Sequence, residues 1–395
     1  MKYYTADRLI TGDRGRCIRD GGVLVDGEVI RWVGRGHALP ARLRRVSEHI
    51  ALGPLTLLPG LVDSHVHLAL DGADGAMDRM RAASDDELYA LMLRNAAELL
   101  AAGVTTARDL GSPAGLGVRV RDAIRAGRAP GPGLVVSGAP LTPPDGHCWF
   151  MGGTCVGEDA LRRAVREQAA AGVDLIKVMA TGGSLTSGPA SWERQFSEAE
   201  LAAVVDEAAR AGLVVAVHAH GTDGIAASIR AGVHTVEHCS FVDAAESIVP
   251  DPELVRRLVA DRIHVCPTIS RRFTDRWDRG DRQRPPALPV LYREGVLIVA
   301  GSDAGTDGAP HHASVDGLLG MARLGLPPEE ILQAATSRAA RALRLNTVTG
   351  RIAPGLRADI IAVEGDPLQD VAALRELRLV LANGVAVRSP RWALE

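Results

Sequence analysis

The chain is poor in several features that identify common classes of protein. Aromatic residues make up only 3% of its 395 residues, so few side chains are available for stacking against a ligand. The formal net charge is -3, which gives no reason to expect nucleic acid or an anionic membrane as a partner. No apolar run is long enough to span a bilayer. A content of 46% hydrophobic and 24% charged residues instead indicates a soluble globular protein, long enough for a large barrel and a minor domain.

Cysteine is also scarce, and its spacing argues against one kind of metal site. The five cysteines are scattered along the chain and form no CxxC pair. An odd number without framework spacing is typical of a reducing compartment and argues against zinc held by thiolates. The first residues, Met1 to Asp7, lack the apolar stretch of a secretory signal. We therefore expect a cytoplasmic protein.

A pattern of helix, glycine and apolar strand recurs along the middle of the chain. Glycine directly after a helix adopts the left-handed conformation that ends the helix without steric cost. The apolar runs that follow suit strands covered on both faces, as in a parallel sheet. Such βα units are typical of an α/β fold, either a doubly wound open sheet or a closed (β/α)8 TIM-like barrel. We predict the barrel because eight strands can be counted, beginning near Leu58, Val104, Leu134, Leu175, Val214, Thr235, His264 and Leu297.

The two ends of the chain differ from this middle. Residues 1–57 alternate short strands with turns, and residues 348–395 also contain apolar β-type runs. Neither end could bury a core alone. We therefore predict that 1–57 and 348–395 together form one small composite β-sandwich, beside a hydrolase barrel of residues 58–347.

One short motif carries the strongest functional signal. His65-Val66-His67 ends an apolar run that begins at Leu58. In an extended strand, residues two apart point to the same face, so the two imidazoles would form a pincer for a divalent metal. Zinc and its neighbours accept neutral imidazole nitrogen readily. The same His-Val-His sequence could also be two polar residues in a loop, so a metal site needs support from elsewhere in the chain.

That support comes from the ends of other predicted strands. Active sites of (β/α)8 barrels lie at the C-terminal ends of the strands. Taken singly, each residue there could be structural: a core histidine, a helix-capping aspartate, or a lysine whose amine reaches the rim or pairs with a carboxylate. Taken together, they would surround one barrel mouth with imidazoles, a carboxylate and an amine. They are Lys177, His218, His220, His238 and Asp303.

With these motifs the chain resembles the amidohydrolase superfamily of metal-dependent hydrolases, and within it the Xaa-Pro dipeptidase and imidazolonepropionase-like group. The resemblance covers nearly the whole chain. Its last segment, Gly350–Asp359, returns the chain to the β-sandwich in this family. The other motifs that carry the resemblance are residues 59–67, 177–183, 218–220, 236–238 and 301–303.

The resemblance implies two divalent metal ions, expected to be zinc. A carbamylated Lys177 and a hydroxide would bridge them. His220 would point into the pocket, where relatives often carry tyrosine and where it could donate a hydrogen bond to a developing oxyanion. Which of His218 and His220 binds metal stays open. The ligands implied are His65, His67 and Asp303 for the first ion, and His218 and His238 for the second.

Two further segments contain three candidates for contact with substrate. His147 follows the third predicted strand, where relatives often have a histidine after glycine, but it could equally be packed by its aromatic neighbours. Arg271 and Arg272 begin a polar stretch that runs to Pro289, either a long loop over the mouth or a solvated insertion. Their guanidinium groups could bind a substrate carboxylate through a fork or could simply face solvent.

The predicted activity is hydrolysis of a small-molecule amide. In this hypothesis Asp303 takes a proton from the nucleophilic hydroxide and passes it to the leaving nitrogen, while His220 assists at the carbonyl oxygen. Dipeptides, as in a prolidase, or N-acyl amino acids are the first choice of substrate. Alternative substrates are carbamates and mycotoxin-type amides. Alternative enzymes are a mononuclear, imidazolonepropionase-like hydrolase of cyclic amides and a deaminase. A non-catalytic scaffold protein is disfavoured because no ligand is missing. We further expect a homo-oligomer, as among relatives.

Overall fold

A computed structural model describes residues 1–279 and 286–388, and it contains one mixed sheet and two parallel ones. No helix of these residues combines the length and apolarity that crossing a bilayer would require. The strands are β1 (Lys2–Ile10), β2 (Cys17–Asp26), β3 (Val29–Arg35), β4 (Glu48–Ala51), β5 (Leu55–Pro59), β6 (Leu61–Val66), β7 (Val104–Asp109), β8 (Gly133–Val136), β9 (Ile176–Met179), β10 (Val215–Gly221), β11 (Thr235–Val242), β12 (His264–Cys266), β13 (Leu297–Ile298), β14 (Ile360–Glu364), β15 (Leu377–Ala382) and β16 (Val385–Arg388).

Helices follow most strands of the parallel sheets, as the recurring sequence pattern predicts. The pattern contains five glycines that have positive φ, between 73° and 91°, which confirms their role as helix stops. They are Gly103, Gly172, Gly212, Gly232 and Gly295. The helices are α1 (Ala41–Arg44), α2 (Ala76–Ala82), α3 (Asp85–Ala101), α4 (Leu116–Arg125), α5 (Glu158–Ala170), α6 (Glu198–Arg210), α7 (Thr222–Ala231), α8 (Pro252–Ala260), α9 (Arg271–Asp278), α10 (Leu288–Arg293), α11 (Ser314–Arg323), α12 (Pro328–Ala334) and α13 (Ser337–Ala342).

Strands from both ends of the chain share the mixed sheet. Its order is β16-β15-β14-β5-β1-β2-β3, and β4 also pairs with β1. Strand β5 joins the two ends, because it pairs parallel with β1 and antiparallel with β14. Strands of the two ends therefore pair in one sheet, whereas the composite β-sandwich of residues 1–57 and 348–395 stays a prediction. The last part of the predicted unit, residues 389–395, lies outside the described residues.

The parallel strands position the candidate site. They form a three-stranded sheet, β6-β7-β8, and a five-stranded sheet, β13-β12-β11-β10-β9. Backbone hydrogen bonds connect the two sheets at both edges. The amide of Met179 donates to the carbonyl of Leu141 at 2.9 Å, and the amide of Ser64 donates to the carbonyl of Ala300 at 2.9 Å. The predicted α/β class with parallel strands is confirmed, while closure into a barrel stays a prediction.

Two elements differ from the sequence analysis. The apolar run from Leu58 is divided at Gly60: β5 belongs to the mixed sheet and only β6 is parallel. A side chain at Gly60 would collide with Thr105, since an added Cβ would lie 2.1 Å from its Oγ1. The stretch 271–289 is also no simple loop, because it contains helix α9 and the start of α10. Residues 280–285 of that stretch lie outside the described part of the chain.

Candidate metal centre and active site

One cavity of about 400 Å³ brings most of the predicted site residues together at the carboxyl ends of the parallel strands. The candidate ligands lie on β6, β9, β10, β11 and β13 or on the loops that follow these strands, with two histidines each from β6 and β10. The sheets therefore fix the relative positions of residues distant in sequence. The predicted residues that line the cavity are His65, His67, His147, Lys177, His218, His220, His238 and Asp303.

The first cluster consists of His65, His67 and Asp303. The Nε2 atoms of the two histidines lie 3.2 Å apart, and each lies 3.3 Å from Oδ1 of Asp303. Both histidines are buried, and the aspartate side chain is 22% exposed. Three donor atoms that converge on one point in this way fit a divalent cation. The alternation of faces along a strand, which predicted the histidine pair, accounts for this geometry.

Backbone strain occurs at two of the candidate ligands. Asp303 and His238 have φ values of 55° and 65°, in the left-handed region that residues other than glycine seldom adopt. Such strain persists only where the surrounding structure enforces it, and it concentrates at functional sites. The amide of Asp303 donates to the carbonyl of His65 at 2.8 Å, which fixes this strained loop against β6.

The second cluster consists of His218, His220 and His238, each with a ring nitrogen within 4.8 Å of the others. One nitrogen of each ring is already hydrogen-bonded. Nδ1 of His220 lies 2.9 Å from the Ser240 hydroxyl, Nδ1 of His238 lies 2.7 Å from the Thr268 hydroxyl, and Nε2 of His218 donates to a backbone carbonyl. Such bonds leave the other nitrogen for a metal. The geometry therefore brings His220 into the same group as the two predicted ligands.

Lys177 lies fully buried in β9, and its amine lines the cavity. Within residues 1–279 and 286–388 its Nζ has no hydrogen-bond partner. Burial lowers the pKa of this amine to about 8. An unpartnered buried amine is costly for a fold. The position therefore fits a lysine that acquires another chemical group, and it does not fit a lysine that reaches the rim.

The buried histidines favour the neutral form that binds metal. Burial lowers the pKa of His65 and of His220 to about 4, and that of His147 to about 3. Burial also lowers the pKa of His218 and His238 well below its ordinary value. A neutral imidazole has a free lone pair, so these rings are ready as ligands or hydrogen-bond partners at neutral pH.

A buried ion pair behind the first cluster was not predicted from the sequence. Oε2 of Glu237 lies 2.9 Å from Nδ1 of His65, and its Oε1 accepts from Nη2 of Arg108 at 2.7 Å. Both side chains have at most 1% exposure. Burial alone would raise the pKa of Glu237, but the Arg108 guanidinium holds it below its ordinary range. Glu237 therefore stays a carboxylate that orients the His65 ring with Nε2 toward the cavity.

Glu237→Gln should weaken metal binding at the first cluster by about 10–100-fold, the usual effect of removing a partner of a ligand histidine. It should also lower the free energy of unfolding by about 3–5 kcal/mol, because the Arg108 charge is left buried without its counter-ion. Metal titration and urea unfolding measure the two effects separately.

Two further variants separate orientation from charge. Arg108→Met combined with Glu237→Gln removes the uncompensated cation, so we expect stability to recover while metal binding stays weak. Glu253→Gln is the matched control, because that glutamate is 67% exposed and pairs with Arg256 at the surface, its one ion pair within residues 1–279 and 286–388. Full metal affinity in the double variant would contradict the orienting role of Glu237.

The candidate substrate-binding residues do not all line the metal-site cavity. His147 lines the cavity with 3% exposure, and its ring lies 4.6 Å from the ring of His218. Arg271 lies elsewhere: it lines a separate cavity, and its Nε lies 3.9 Å from Asp275 and 3.7 Å from Asp316. The adjacent Arg272 lines the metal-site cavity instead. Of the two adjacent arginines that the sequence suggested, only Arg272 lines this cavity, because a helix begins there and successive residues of a helix point about 100° apart.

Neutral imidazoles, a carboxylate and a buried amine gather at one end of parallel strands, which fits a hydrolase of the α/β fold class with a candidate metal centre. A family model described as the amidohydrolase family matches residues 56–387. The chain therefore belongs to the amidohydrolase family, as its motifs predicted.

Similar proteins agree with this assignment. Ochratoxinase of Aspergillus niger is 30% identical over 411 aligned residues, which cover 95% of this chain and 83% of that protein. Imidazolonepropionase of Salinispora tropica is 28% identical, with coverage of 93% and 92%. A solved Xaa-Pro dipeptidase with bound methionine in its active site superposes with a TM-score of 0.86 at 26% identity, covering 98% of this chain and 100% of that one. The chain is accordingly a hydrolase of carbon–nitrogen bonds.

Proposed function

We propose that this amidohydrolase uses two divalent metal ions, zinc in the first instance, to cleave a small-molecule amide, most suitably a dipeptide or an N-acyl amino acid. The observation that carries the proposal is the convergence of two ligand clusters and an unpartnered lysine on one cavity. The first ion would be held by His65, His67 and Asp303. Ligands for the second are available among His218, His220 and His238, with a carbamylated Lys177 between the two ions.

The donor set fits such ions. Imidazole and carboxylate are ligands that zinc accepts, and the amine of Lys177 has no other partner among the described residues. When bound, the ions would supply an acidified water and a polarised carbonyl group. Arginine could not replace this lysine, because a guanidinium stays charged and is not available to form a carbamate at neutral pH.

The protein side chains would move the protons. Asp303 extends from the first cluster into the cavity, so its carboxylate is suited to take a proton from the nucleophile and to release it at the leaving nitrogen. His147 and His220 line the same cavity with neutral rings, and either can donate a hydrogen bond to the oxyanion that forms at the carbonyl.

Similar proteins support the choice of substrate only broadly. The Xaa-Pro dipeptidase and a solved prolidase complexed with N-methylphosphonate-L-proline, which is 25% identical to this chain, favour dipeptides. The name ochratoxinase, carried by a relative that is 30% identical, favours a mycotoxin amide as the alternative. Imidazolonepropionase keeps a cyclic amide as the third candidate. A shared fold does not choose among these substrates, since the loops around the cavity do so.

For the architecture we propose a closed (β/α)8 barrel of residues 58–347 and a small β-sandwich of 1–57 with 348–395. The hydrogen bonds between the two parallel sheets at both edges support closure. The pairing of strands from both ends of the chain supports a composite second unit. We also keep the proposal of a cytoplasmic homo-oligomer.

Metal removal tests the proposal directly. We expect about two zinc ions per chain by elemental analysis, and a loss of at least about 100-fold in turnover after chelation, because water activation requires the metal. Turnover should return when zinc is added back. The substrate is found by screening zinc-loaded protein against dipeptides, N-acyl amino acids, cyclic amides and carbamates. Activity that survives exhaustive chelation would refute the metal mechanism, and a preference for cyclic amides would replace the first choice of substrate.

A further inference from the structure

Charge is unevenly distributed around the metal-site cavity. Asp303 is the one carboxylate among the described residues that line it, and the proposed function engages that carboxylate with metal. Two arginines of helix α9, Arg272 and Arg276, also line this cavity. Among the described residues, Arg272 thus lines a cavity in which no carboxylate is left free by the proposed function, and such a wall favours an anionic ligand.

The adjacent arginines of α9 have different surroundings. Arg271 faces Asp275 and Asp316, and Asp316 also pairs with Arg375. Its charge is thus compensated by protein carboxylates outside the metal-site cavity. Arg272 is exposed on the cavity wall, and within residues 1–279 and 286–388 its guanidinium has no ion pair or hydrogen bond. Of the two, only Arg272 has a fork of donors available for a ligand.

Helix α9 holds this arginine on a well-packed support. Gly317 and Gly320 of α11 allow a close approach, since a Cβ at Gly317 would lie 2.0 Å from the carbonyl oxygen of Ile269, and one at Gly320 would lie 3.2 Å from the Phe273 ring. Arg323 of α11 also bonds to Asp278 at the end of α9, at 2.8 Å. The position of the Arg272 backbone is therefore set by packing between helices, as a specific binding residue requires.

The stem of Arg272 lies beside the loop that carries the catalytic candidate Asp303. A Cβ added at Gly308, five residues after Asp303, would lie 3.5 Å from Cβ of Arg272. Arg272 and the candidate metal ligands line one cavity of about 400 Å³, so a carboxylate bound by Arg272 would lie in the same space as the proposed metal site. Arginine binds a carboxylate through two parallel hydrogen bonds, which fixes the orientation of the ligand.

We propose that Arg272 is a specificity-determining residue that binds a free carboxylate of the substrate while the amide lies at the metal ligands. This inference rests on the proposed function and narrows it. It predicts that substrates carry a carboxylate beyond the scissile bond, as dipeptides and N-acyl amino acids do, and that their carboxamide counterparts are poor substrates.

The test compares Arg272→Met with Arg271→Met, its matched neighbour outside the cavity. The probes are N-acetyl-L-methionine and N-acetyl-L-methioninamide, with KM from hydrolysis and Kd from calorimetry on the same zinc-loaded protein. We expect Arg272→Met to raise KM and Kd for the acid by about 10–100-fold, the range for a hydrogen bond to a charged group, and to leave the carboxamide values unchanged. Arg271→Met should change neither probe.

The outcomes separate this inference from the proposed function. Equal binding of acid and carboxamide by the unaltered protein, or an equal loss of both in Arg272→Met, would overturn the role of Arg272 even if the protein hydrolyses amides. Conversely, acid-selective binding that depends on Arg272, with no hydrolysis of either probe or of the screened library, would support the anion site and refute the proposed function.

Discussion

Asp303→Asn should lower kcat by about 10²–10⁴-fold, the usual contribution of a general acid–base group. The carboxylate lies 3.3 Å from Nε2 of both His65 and His67 and is partly open to the cavity, so it can contact both the metal site and the reacting atoms. Asparagine has nearly the same shape but cannot accept and release the proton. The fold should survive, because the bond from the residue 303 amide to the carbonyl of His65 does not involve the side chain.

Asp307→Asn is the matched control for this variant. Asp307 lies in the same loop, but its carboxylate accepts from the amides of Gly75 and Ala76 and does not line the cavity. We expect its kcat to stay within about 3-fold of the unaltered protein, because the side chain does not line the cavity and asparagine keeps an acceptor for one of the two amides. Metal analysis must accompany the kinetics of both variants. Full turnover by Asp303→Asn with its metal retained would exclude Asp303 as the proton carrier.

The sequence predicted residues that meet in one cavity as candidate ligands, because their signals are local. The spacing of His65 and His67 follows from the alternation of side chains along a strand, and Lys177 is conspicuous in an apolar run. Topology then explains why residues far apart in the chain meet, since the carboxyl ends of parallel strands lie on the same side of a sheet. The candidate ligands could therefore be predicted without knowing the conformation of the loops.

Glu237 and Arg108 were missed because their function depends on a contact between distant strands. The resemblance included Glu237 in a motif but gave it no role, and Arg108 in β7 drew no attention. A signal was nevertheless present: each is a charged residue within a buried strand, and the two charges are opposite. A buried charge requires a partner, so two such residues of opposite sign predict an ion pair between their strands.

Arg271 shows a second limit of the sequence. The run from Arg271 to Pro289 is polar and contains prolines, which favoured a loop, whereas residues 271–278 form helix α9. In a loop the two adjacent arginines are equivalent candidates. In a helix that packs against α11, residue 271 faces Asp316 and residue 272 faces the cavity. Only the helix register, which tertiary packing sets, distinguishes them.

Lys177→Met should abolish turnover and yet stabilise the metal-free protein. Turnover should fall by at least about 100-fold, because the proposed bridge between the ions is lost and only part of the metal is retained. The free energy of unfolding of metal-free protein should rise by about 1–3 kcal/mol, the cost of a buried polar group without a partner. Methionine has a similar length and no such cost. Urea unfolding of metal-free protein and elemental analysis of zinc-loaded protein measure the two effects.

The composition of the chain makes the modification itself testable. The sequence contains two lysines, Lys2 and Lys177, among 45 basic residues, so arginine provides almost every other positive charge. A lysine kept in a buried strand of such a chain agrees with a demand for an amine, since arginine cannot form the carbamate. Growth with 13C-bicarbonate should therefore give one carbamate carbon signal by NMR, which persists in Lys2→Met and disappears in Lys177→Met. A metal-loaded protein that is fully active without that signal would refute the bridging carbamate, and lower stability of metal-free Lys177→Met would show that the amine has a stabilising partner.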